Sequence, residues 1–373
     1  MNRKIKTSIG LMSGTSIDGI DVALIKSDGK IIKERGQFCH YYPYDQELKI
    51  QMQKLIHNQI INLRAIKEIE QEITHQHIKA VKDFLQQNNL TAGDIDIIGF
   101  HGHTILHHPH KAITWQIGNA QSLASEVAIN VVSNFRNKDL VYGGQGAPLA
   151  PIYHFSLFSA HKKPLAVLNI GGVANLTYIE DDDEENLIAF DIGFGNAPFD
   201  DLMRVKRGKD FDENGALASM GQIHYDLAEE FLTTDYFTKS PPKSIDRNHF
   251  QQLLSNKFLL LPLNDALASL AYILAKTLEA GLKFVPQPPR QIIICGGGRH
   301  NAAIIDNIKK VITDIEITII DDLKINGDFT EAEAFAFLAL RHLANLPISF
   351  PKTTGIKIDN SKSSSLGGVL YKI

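Results

Sequence analysis

Cysteine is scarce in this chain of 373 residues, which contains only Cys39 and Cys295. Neither cysteine lies in a spacing typical of metal or redox sites, such as C-x-x-C. This scarcity excludes a fold built on a framework of disulfides. A reducing compartment, the cytoplasm, is therefore expected.

An excess of positive charge is also lacking. Lysine and arginine total 38 against 42 acidic residues, which gives a net charge of -4. No run of basic residues forms an electrostatic footprint for nucleic acid, so a small-molecule ligand is expected instead. The N-terminus lacks the apolar stretch of a signal peptide. The apolar segment 264–284 carries Asp265, Lys276 and Glu279, which favours a buried core helix over a membrane span.

The two phosphate-binding motifs with well-known spacing are absent as well. The chain contains no G-x-x-x-x-G-K-[ST] and no G-x-G-x-x-G that follows a strand and opens a helix. The sequence therefore excludes a Walker-type NTPase and a conventional Rossmann protein.

What is present is an order of elements that occurs twice. Residues 5–11, 20–26 and 30–38 predict three short strands, and helical spacing follows over 46–87. Residues 164–196 again predict strand, turn, strand, turn, strand. Strands that alternate with helices are typical of an α/β layer, so we predict two α/β lobes with a cleft between them.

The lobe boundaries follow from this repeat. We predict one lobe from residues 1–135 together with 330–373, and the other from 136–329. The amphipathic helix expected over 330–345 is assigned to the first lobe, onto which the chain would cross back.

Glycine turns follow predicted strands in four places, and glycine lets backbone N–H groups approach a polyanion without a Cβ in the way. The glycines are Gly14, Gly171 and Gly172, Gly193 and Gly195, and Gly296, Gly297 and Gly298. One such turn alone is usually an ordinary turn. Four of them in two similar halves favour a cleft that holds phosphate groups.

Five spaced motifs, "GLMSGTSIDGID", "GGQGAPLAP", "NIGGVANLT", "CGGGRHN" and "EAEAFAFLALR", resemble those of the anhydro-N-acetylmuramic acid kinase family. The resemblance runs nearly end to end. It implies the two-lobed, ribonuclease H-like fold of sugar kinases, Hsp70 and actin, with ATP between the lobes, Mg²⁺ on its phosphates, and a homodimer. It also implies a reaction of cell-wall recycling, in which 1,6-anhydro-N-acetylmuramic acid, ATP and water give N-acetylmuramic acid 6-phosphate and ADP.

The resemblance assigns the catalytic base to Asp191 in "AFDIGFGN". A base is needed because water must add at the anomeric carbon while the departing O6 attacks the γ-phosphate. Without the resemblance, Asp191 reads equally as a residue that only caps a turn.

The sugar site is implied in the same way. Arg136 and Glu331 match the family's sugar-binding pair, and the planar fork of arginine suits the lactyl carboxylate of muramic acid. His101 and Thr104 of HGHT are expected beside the sugar. A surface ion pair or a solvated helix face is the alternative for Arg136 and Glu331. A zinc site among the histidines at 101–110 is disfavoured, because their spacing fits no standard tetrahedral site.

The nucleotide site is implied at two places besides the glycine turns. The first turn is expected to face the ATP phosphates, and the CGGG loop with Asn301 is expected to lie beside adenosine. Residues of the first turn are Gly14, Thr15, Ser16, Ile17, Asp18, Gly19, Ile20 and Asp21. Magnesium prefers oxygen ligands and keeps several waters, so Asp18 or Asp21 is a candidate to reach it.

Four motifs depart from the family pattern, with FDIGFGN for FDTGPGN, HGHT for HGQT, NFR for DFR and PPKSID for PPKSTG. These changes leave two alternatives open. One is a related kinase for another sugar, such as levoglucosan, and the other is a nucleotide-binding protein without kinase activity. The retained Arg136 favours the muramic acid substrate.

Overall fold

The structure is a computed structural model, and it describes residues 3–14, 17–56, 62–245, 250, 257–357 and 366–373. Contacts divide the chain into two compact units. Unit 1 is Met1–Ser159 with Asp328–Ile373, and unit 2 is Ala160–Gly327.

The sequence assigned 136–159 to the second lobe, whereas the structure assigns this segment to unit 1. The reason is a pair of hydrogen bonds, from Tyr153 Oη to Glu333 and from Ser156 Oγ to the backbone of Lys30.

The described residues form strands and helices with the following bounds. The strands are β1 Lys6–Met12, β2 Gly19–Ser27, β3 Ile32–Glu34, β4 Cys39–Pro43, β5 Ile97–Phe100, β6 His103–His108, β7 Ile113–Ile117, β8 Val131–Ser133, β9 Leu165–Ile170, β10 Val173–Ile179, β11 Ile188–Phe194, β12 Gln291–Cys295, β13 Glu316–Ile319 and β14 Val369–Tyr371. The helices are α1 Gln46–Ile56, α2 Leu63–Gln87, α3 Ala120–Val127, α4 Asn137–Val141, α5 Pro151–Leu157, α6 Ala197–Arg207, α7 Tyr225–Leu232, α8 Leu263–Gly281, α9 Ala302–Val311 and α10 Thr330–Leu343.

Unit 1 is built on a sheet of order β14-β8-β5-β1-β2-β3, with β4 also paired to β2. Of the strand expected over 30–38 only β3 forms, and β4 begins just beyond that stretch at Cys39. Strands β1 and β2 are antiparallel, whereas β5 and β8 run parallel to β1. Helix α10 packs directly on β1 and β5, because a Cβ on Gly10 would lie 1.8 Å from the carbonyl oxygen of Ala332 and one on Gly99 would lie 2.1 Å from that of Phe335.

Unit 2 is built on a sheet of order β11-β10-β9-β12-β13. Strands β9, β10 and β11 form an antiparallel meander, and β12 and β13 continue it in parallel with β9. Helix α8, the apolar segment noted in the sequence, is largely buried in the core of this unit. No helix within the described residues is long and apolar enough to cross a membrane.

The two sheets have the same topology over five strands. In each unit a three-stranded antiparallel meander is extended from its first strand by two parallel strands, β5 and β8 in unit 1 and β12 and β13 in unit 2. The repeated element order predicted from the sequence and the predicted fold class are thereby confirmed.

Candidate functional site

Asp191 lies on β11 and is 5% exposed. Its backbone N–H donates to the carbonyl oxygen of Lys243 (3.0 Å), and its Oδ2 accepts from the backbone N–H of Ile245 (2.9 Å). The hydroxyl of Tyr236 donates to the carbonyl oxygen of Asp191 (2.6 Å). Burial, and then the charge of Asp191, raise the pKa of Tyr236, so the phenol stays protonated and acts as the donor. The Asp191 carboxylate is therefore held in a fixed orientation by the segment that carries PPKSI.

Three glycine segments meet at one edge of the unit 2 sheet. Strands β9, β11 and β12 point the same way, so their carboxyl ends lie at this edge, where α/β sheets usually bind ligands. Asn196, just past β11, donates its N–H to the carbonyl oxygen of Gly171 (2.7 Å), and Gly195 donates to that of Gly172 (3.0 Å). A Cβ on Gly195 would lie 2.1 Å from the Gly171 oxygen. Glycine at 195 therefore serves close packing of two turns, and its N–H is used within the protein.

The loop after β12 joins the same edge. Gly296 has a φ of +78°, and a Cβ there would lie 2.4 Å from Asn169 Oδ1. A Cβ on Gly298 would lie 2.2 Å from Ile170 Cγ2, and one on Gly297 would lie 3.4 Å from Asn196 Nδ2. The loop thus lies against the end of β9, and the loop itself contributes only backbone atoms to this contact. We call this edge, formed by 171–172, 195–196 and 296–298, the glycine edge.

Two residues predicted for nucleotide binding have structural contacts of their own. A Cβ on Gly193, inside β11, would lie 3.3 Å from the side chain of Thr277 on α8, so this glycine serves helix packing. Asn301 caps α9, and its Oδ1 accepts from the N–H of Ile304 (3.2 Å).

In unit 1 the turn between β1 and β2 is tight. Thr15 and Ser16 lie outside the described residues. The residues that flank them are joined by a hydrogen bond, in which the N–H of Ile17 donates to the carbonyl oxygen of Gly14 (3.2 Å). The side chains of Ile17 and Ile20 are buried in the unit 1 core.

The strand that follows is packed just as closely. A Cβ on Gly19 would lie 2.4 Å from the carbonyl oxygen of Tyr42 on β4. Asp18 Oδ1 accepts from the N–H of Gly19 (3.0 Å), which orients that carboxylate at the end of the turn.

Three carboxyl groups of unit 1 lie within electrostatic range of Asp21. Burial, and then the charges of Asp18, Glu331 and Asp328 in that order, together raise the pKa of Asp21 to about 8. Such crowding of like charges favours a bound cation. Within the described residues, however, no group of three or more His, Cys, Asp or Glu side chains forms a metal site. The arrangement fits a magnesium ion held mainly by phosphate and water, with one or two carboxylates beside it.

Arg136 and His101 are brought together. Arg136 Nη2 lies 3.0 Å from His101 Nε2, and Nη1 donates to the carbonyl oxygen of Gly146 (2.8 Å). His101 Nδ1 lies 2.9 Å from the carbonyl oxygen of Gly102, so the hydrogen bonds require a neutral ring with its proton on Nδ1. Burial, and then Arg136, hold the pKa of His101 well below its ordinary value, which agrees with that tautomer.

Glu331 and Thr104 are connected to this pair. The His101 ring lies 4.5 Å from that of Phe335, which is four residues from Glu331 and therefore on the same face of α10. Thr104 Oγ1 accepts from Gln116 across the hairpin of β6 and β7 (3.2 Å). Arg136 and His101 are therefore in direct contact, and Phe335 connects His101 to the helix that carries Glu331.

His103 and His107, two histidines of segment 101–110, are held by contacts within the protein. His103 is fully buried beside Ser13, with Nδ1 3.0 Å from its Oγ, and Tyr44 Oη donates to the same Oγ (2.8 Å). Burial lowers the pKa of His103 and of His107 to about 3.

Several polar residues beside these sites carry no signal in the sequence. Glu333 is fully buried and accepts from Arg35 Nη2 (2.5 Å) and from Tyr153 Oη (2.5 Å). Asp139 accepts from the N–H of Gly146 (2.6 Å) and from Thr354 Oγ1 (2.6 Å), which fixes the loop against which Arg136 lies. Their partners are distant in sequence, so only the fold reveals them.

Comparison with known proteins gives a match to a family model described as anhydro-N-acetylmuramic acid kinase over residues 6–372. A curated relative of that name from Zymomonas mobilis subsp. mobilis is 43% identical over 94% of this chain and 96% of its own length. One from Methylorubrum populi is 40% identical over the same shares. Among solved structures, the activator of the 2-hydroxyisocaproyl-CoA dehydratase from Clostridium difficile with bound ADPNP is 14% identical, with a TM-score of 0.45 over 90% of this chain and 94% of that chain. Because the family model and the curated relatives span nearly the whole chain, this protein belongs to the anhydro-N-acetylmuramic acid kinase family.

Proposed function

We propose that this kinase uses ATP and water to convert 1,6-anhydro-N-acetylmuramic acid into N-acetylmuramic acid 6-phosphate, with Asp191 as the catalytic base. Asp191 accepts a proton from water as the hydroxide adds to the anomeric carbon. The bond from that carbon to O6 breaks through an oxocarbenium-like state, and O6 attacks the γ-phosphate to release ADP. One carboxylate serves both events because the two bond changes are coupled.

The observation that carries this proposal is the way in which Asp191 is held. A general base must be oriented before its proton transfer, and Oδ2 is fixed by the backbone N–H of Ile245 at 2.9 Å. Backbone contacts on either side of the carboxylate, from Lys243 and Tyr236, keep β11 and the covering segment together. An aspartate that only caps a turn needs no such set of long-range partners.

The nucleotide is proposed to bind at the glycine edge of unit 2. The loop 296–298 carries no side chains, and its close packing on the end of β9 holds its backbone at this edge, which supports an adenosine side there. The turn of Gly14, with Thr15 and Ser16, is proposed to face the phosphates. Gly193 and Asn301 are proposed to act indirectly, through the helix packing and the helix cap already described.

Magnesium fits the carboxylates of unit 1. Asp18 and Asp21 would hold it, and the raised pKa of Asp21 supports a site at which bound positive charge is favourable. When bound, the ion neutralises charge on the nucleotide phosphates.

The sugar is proposed to bind Arg136, His101, Thr104 and Glu331. Arg136 is proposed to bind the lactyl carboxylate, because the planar fork of arginine suits a carboxylate. A neutral His101 offers no competing positive charge, and Glu331 can accept hydrogen bonds from sugar hydroxyls.

The names of the curated relatives do not favour the alternatives of a levoglucosan kinase or a protein without kinase activity. A substrate panel with coupled detection of ADP tests this directly. We expect turnover on 1,6-anhydro-N-acetylmuramic acid well above that on levoglucosan or an ordinary hexose. Equal or better turnover on an ordinary hexose contradicts the proposal.

The base is tested by Asp191→Asn together with mass spectrometry of the product in water labelled with heavy oxygen. We expect the variant to lose at least about 100-fold in kcat while it still binds ATP. The wild-type product should carry the solvent label at C1. Unlabelled product, or an active Asp191→Asn variant, contradicts the assigned role.

The family resemblance further supports a homodimer in the cytoplasm. Light scattering of the purified protein is expected to give twice the mass of the chain, and a monomeric mass at working concentration contradicts the dimer.

A further inference from the structure

Lys243 is a buried cation among aromatic rings. It is 7% exposed, and its Nζ lies 4.5 Å from the ring centroid of Phe284, 4.7 Å from that of Tyr236 and 5.8 Å from that of Phe190. Nζ also donates to the carbonyl oxygen of Tyr236 (3.0 Å). In the described part of the chain no carboxylate forms an ion pair with it. Burial of an ammonium group without a carboxylate partner costs free energy, so the presence of lysine at this position calls for a physical reason.

The partners of Lys243 are also the partners of Asp191. Tyr236, whose carbonyl oxygen accepts from Lys243, donates its own hydroxyl to the Asp191 carbonyl. The carbonyl oxygen of Lys243 accepts from the Asp191 N–H, and two residues later Ile245 donates to Asp191 Oδ2. These contacts connect Asp191, Tyr236 and segment 243–245 in a closed ring within unit 2. The ammonium of Lys243 completes the ring, because it links segment 243–245 to Tyr236.

We propose that Lys243 is a positioning residue for the Asp191 carboxylate, with its ammonium clamping Tyr236 and segment 243–245 so that the Ile245 N–H meets Oδ2. The inference deepens the proposed function, since it depends on Asp191 as the base. Lys243 acts through its neighbours and touches neither sugar nor nucleotide in this role. Asp139 acts in a similar way, because its hydrogen bonds fix the loop against which Arg136 lies.

The positive charge, rather than the bulk of the side chain, is what the clamp requires. A methionine fills a similar volume, but only a cation is attracted to the ring faces and donates strongly to the Tyr236 carbonyl. Burial lowers the pKa of Lys243 to about 8, with the nearby charge of Lys239 as a second cause. Among the described residues, the other titratable groups beside this region are Tyr236, which stays neutral, Lys239 and Asp191. The clamp is therefore charged near neutral pH and loses its charge as the pH rises through about 8.

The experiment compares wild type, Lys243→Met and Lys243→Arg by kcat and KM across neutral to alkaline pH. Lys239→Met, at an exposed lysine four residues away, is the matched control and should keep the wild-type kcat near neutral pH. We expect Lys243→Met to lose roughly 10- to 100-fold in kcat, since misplacement of a reacting group by about 1 Å costs about that much. Its KM values for sugar and ATP should stay within about threefold of wild type, because ground-state binding is untouched.

The pH profile separates positioning from a general structural role. Wild-type kcat should fall above about pH 8, Lys243→Met should lack this alkaline fall, and Lys243→Arg should keep most of the activity and hold it to higher pH. If Lys243→Met does not fold, the comparison of Lys243→Arg with wild type still decides, because an unchanged alkaline fall overturns the inference.

A Lys243→Met variant with wild-type kcat also overturns it, and this result leaves the proposed function standing. By contrast, a wild-type protein without turnover on any anhydro sugar overturns the proposed function, and the inference falls with it.

Discussion

The ion pair of Arg35 and Glu333 offers the sharpest test of the packing in unit 1. Arg35 Nη2 and Nε lie 2.5 Å and 3.0 Å from Glu333 Oε2, and Tyr153 Oη donates to the same oxygen. The Glu333 side chain is 0% exposed and that of Arg35 is 17% exposed. Arg35→Met keeps most of the apolar stem but leaves a buried carboxylate without its cation.

The size of the effect follows from that burial. Removing one partner of a buried pair typically costs about 3–5 kcal/mol, against a total domain stability of about 5–15 kcal/mol. We therefore expect Arg35→Met to remove a large fraction of the stability of unit 1. The exposed pair of Arg64 and Glu68 on α2, whose side chains are 88% and 62% exposed, gives the matched control, since Arg64→Met should cost no more than about 0.5 kcal/mol.

The assay is urea unfolding followed by tryptophan fluorescence. The chain has a single tryptophan, Trp115 on β7, so the signal reports on unit 1 alone. The double variant Arg35→Met/Glu333→Gln removes both charges and should be more stable than Arg35→Met. A loss below about 1 kcal/mol for Arg35→Met, or a double variant no more stable than the single one, would refute the reasoning.

Three further predictions concern single positions. Gly296→Ala should lower the melting temperature measured by circular dichroism more than Gly208→Ala, because both glycines have positive φ, worth about 1–2 kcal/mol, but only the first meets Asn169. Equal losses would contradict the contact. In metal-free buffer without nucleotide, Asp21→Asn should become more stable relative to wild type as the pH rises from about 4 to about 8, because folded Asp21 keeps a proton there that the unfolded chain releases. A pH-independent difference in melting temperature would exclude the raised pKa. Arg136→Lys should raise KM for the anhydro sugar at least about tenfold with KM for ATP unchanged, since lysine cannot make the bidentate contact. An unchanged KM for the sugar would remove Arg136 from the sugar site.

The part of the fold that the sequence predicts is the part specified by local signals. The alternation and turns around β1, β2, β9, β10 and β11 are readable because strand and turn propensities act over a few residues. By contrast, β14 is a three-residue strand that forms only by pairing with β8. The short β3 and the additional β4 likewise depend on pairing with β2.

The candidate site shows the same division. Asp191, Arg136 and Glu331 are found because they lie in recognisable motifs. The motif PPKSI is visible in the sequence, but its contact with Asp191 on β11 is not. Ile245 and Asp191 are 54 residues apart, so only the fold brings them together. Gly193 lies against Thr277 of α8, and the sequence does not distinguish a glycine that packs on a helix from one that approaches a ligand.

The discontinuity of unit 1 has a consequence for synthesis on the ribosome. Unit 2 is one continuous stretch, and it emerges before α10, which closes the face of β1 and β5. Until nearly the whole polypeptide has been made, the nascent first sheet lacks the helix that covers it, while the inserted unit has everything that it needs to fold. The insertion therefore sets an order of maturation, in which the later-made half folds first and the earlier-made half depends on its final helix for protection against aggregation.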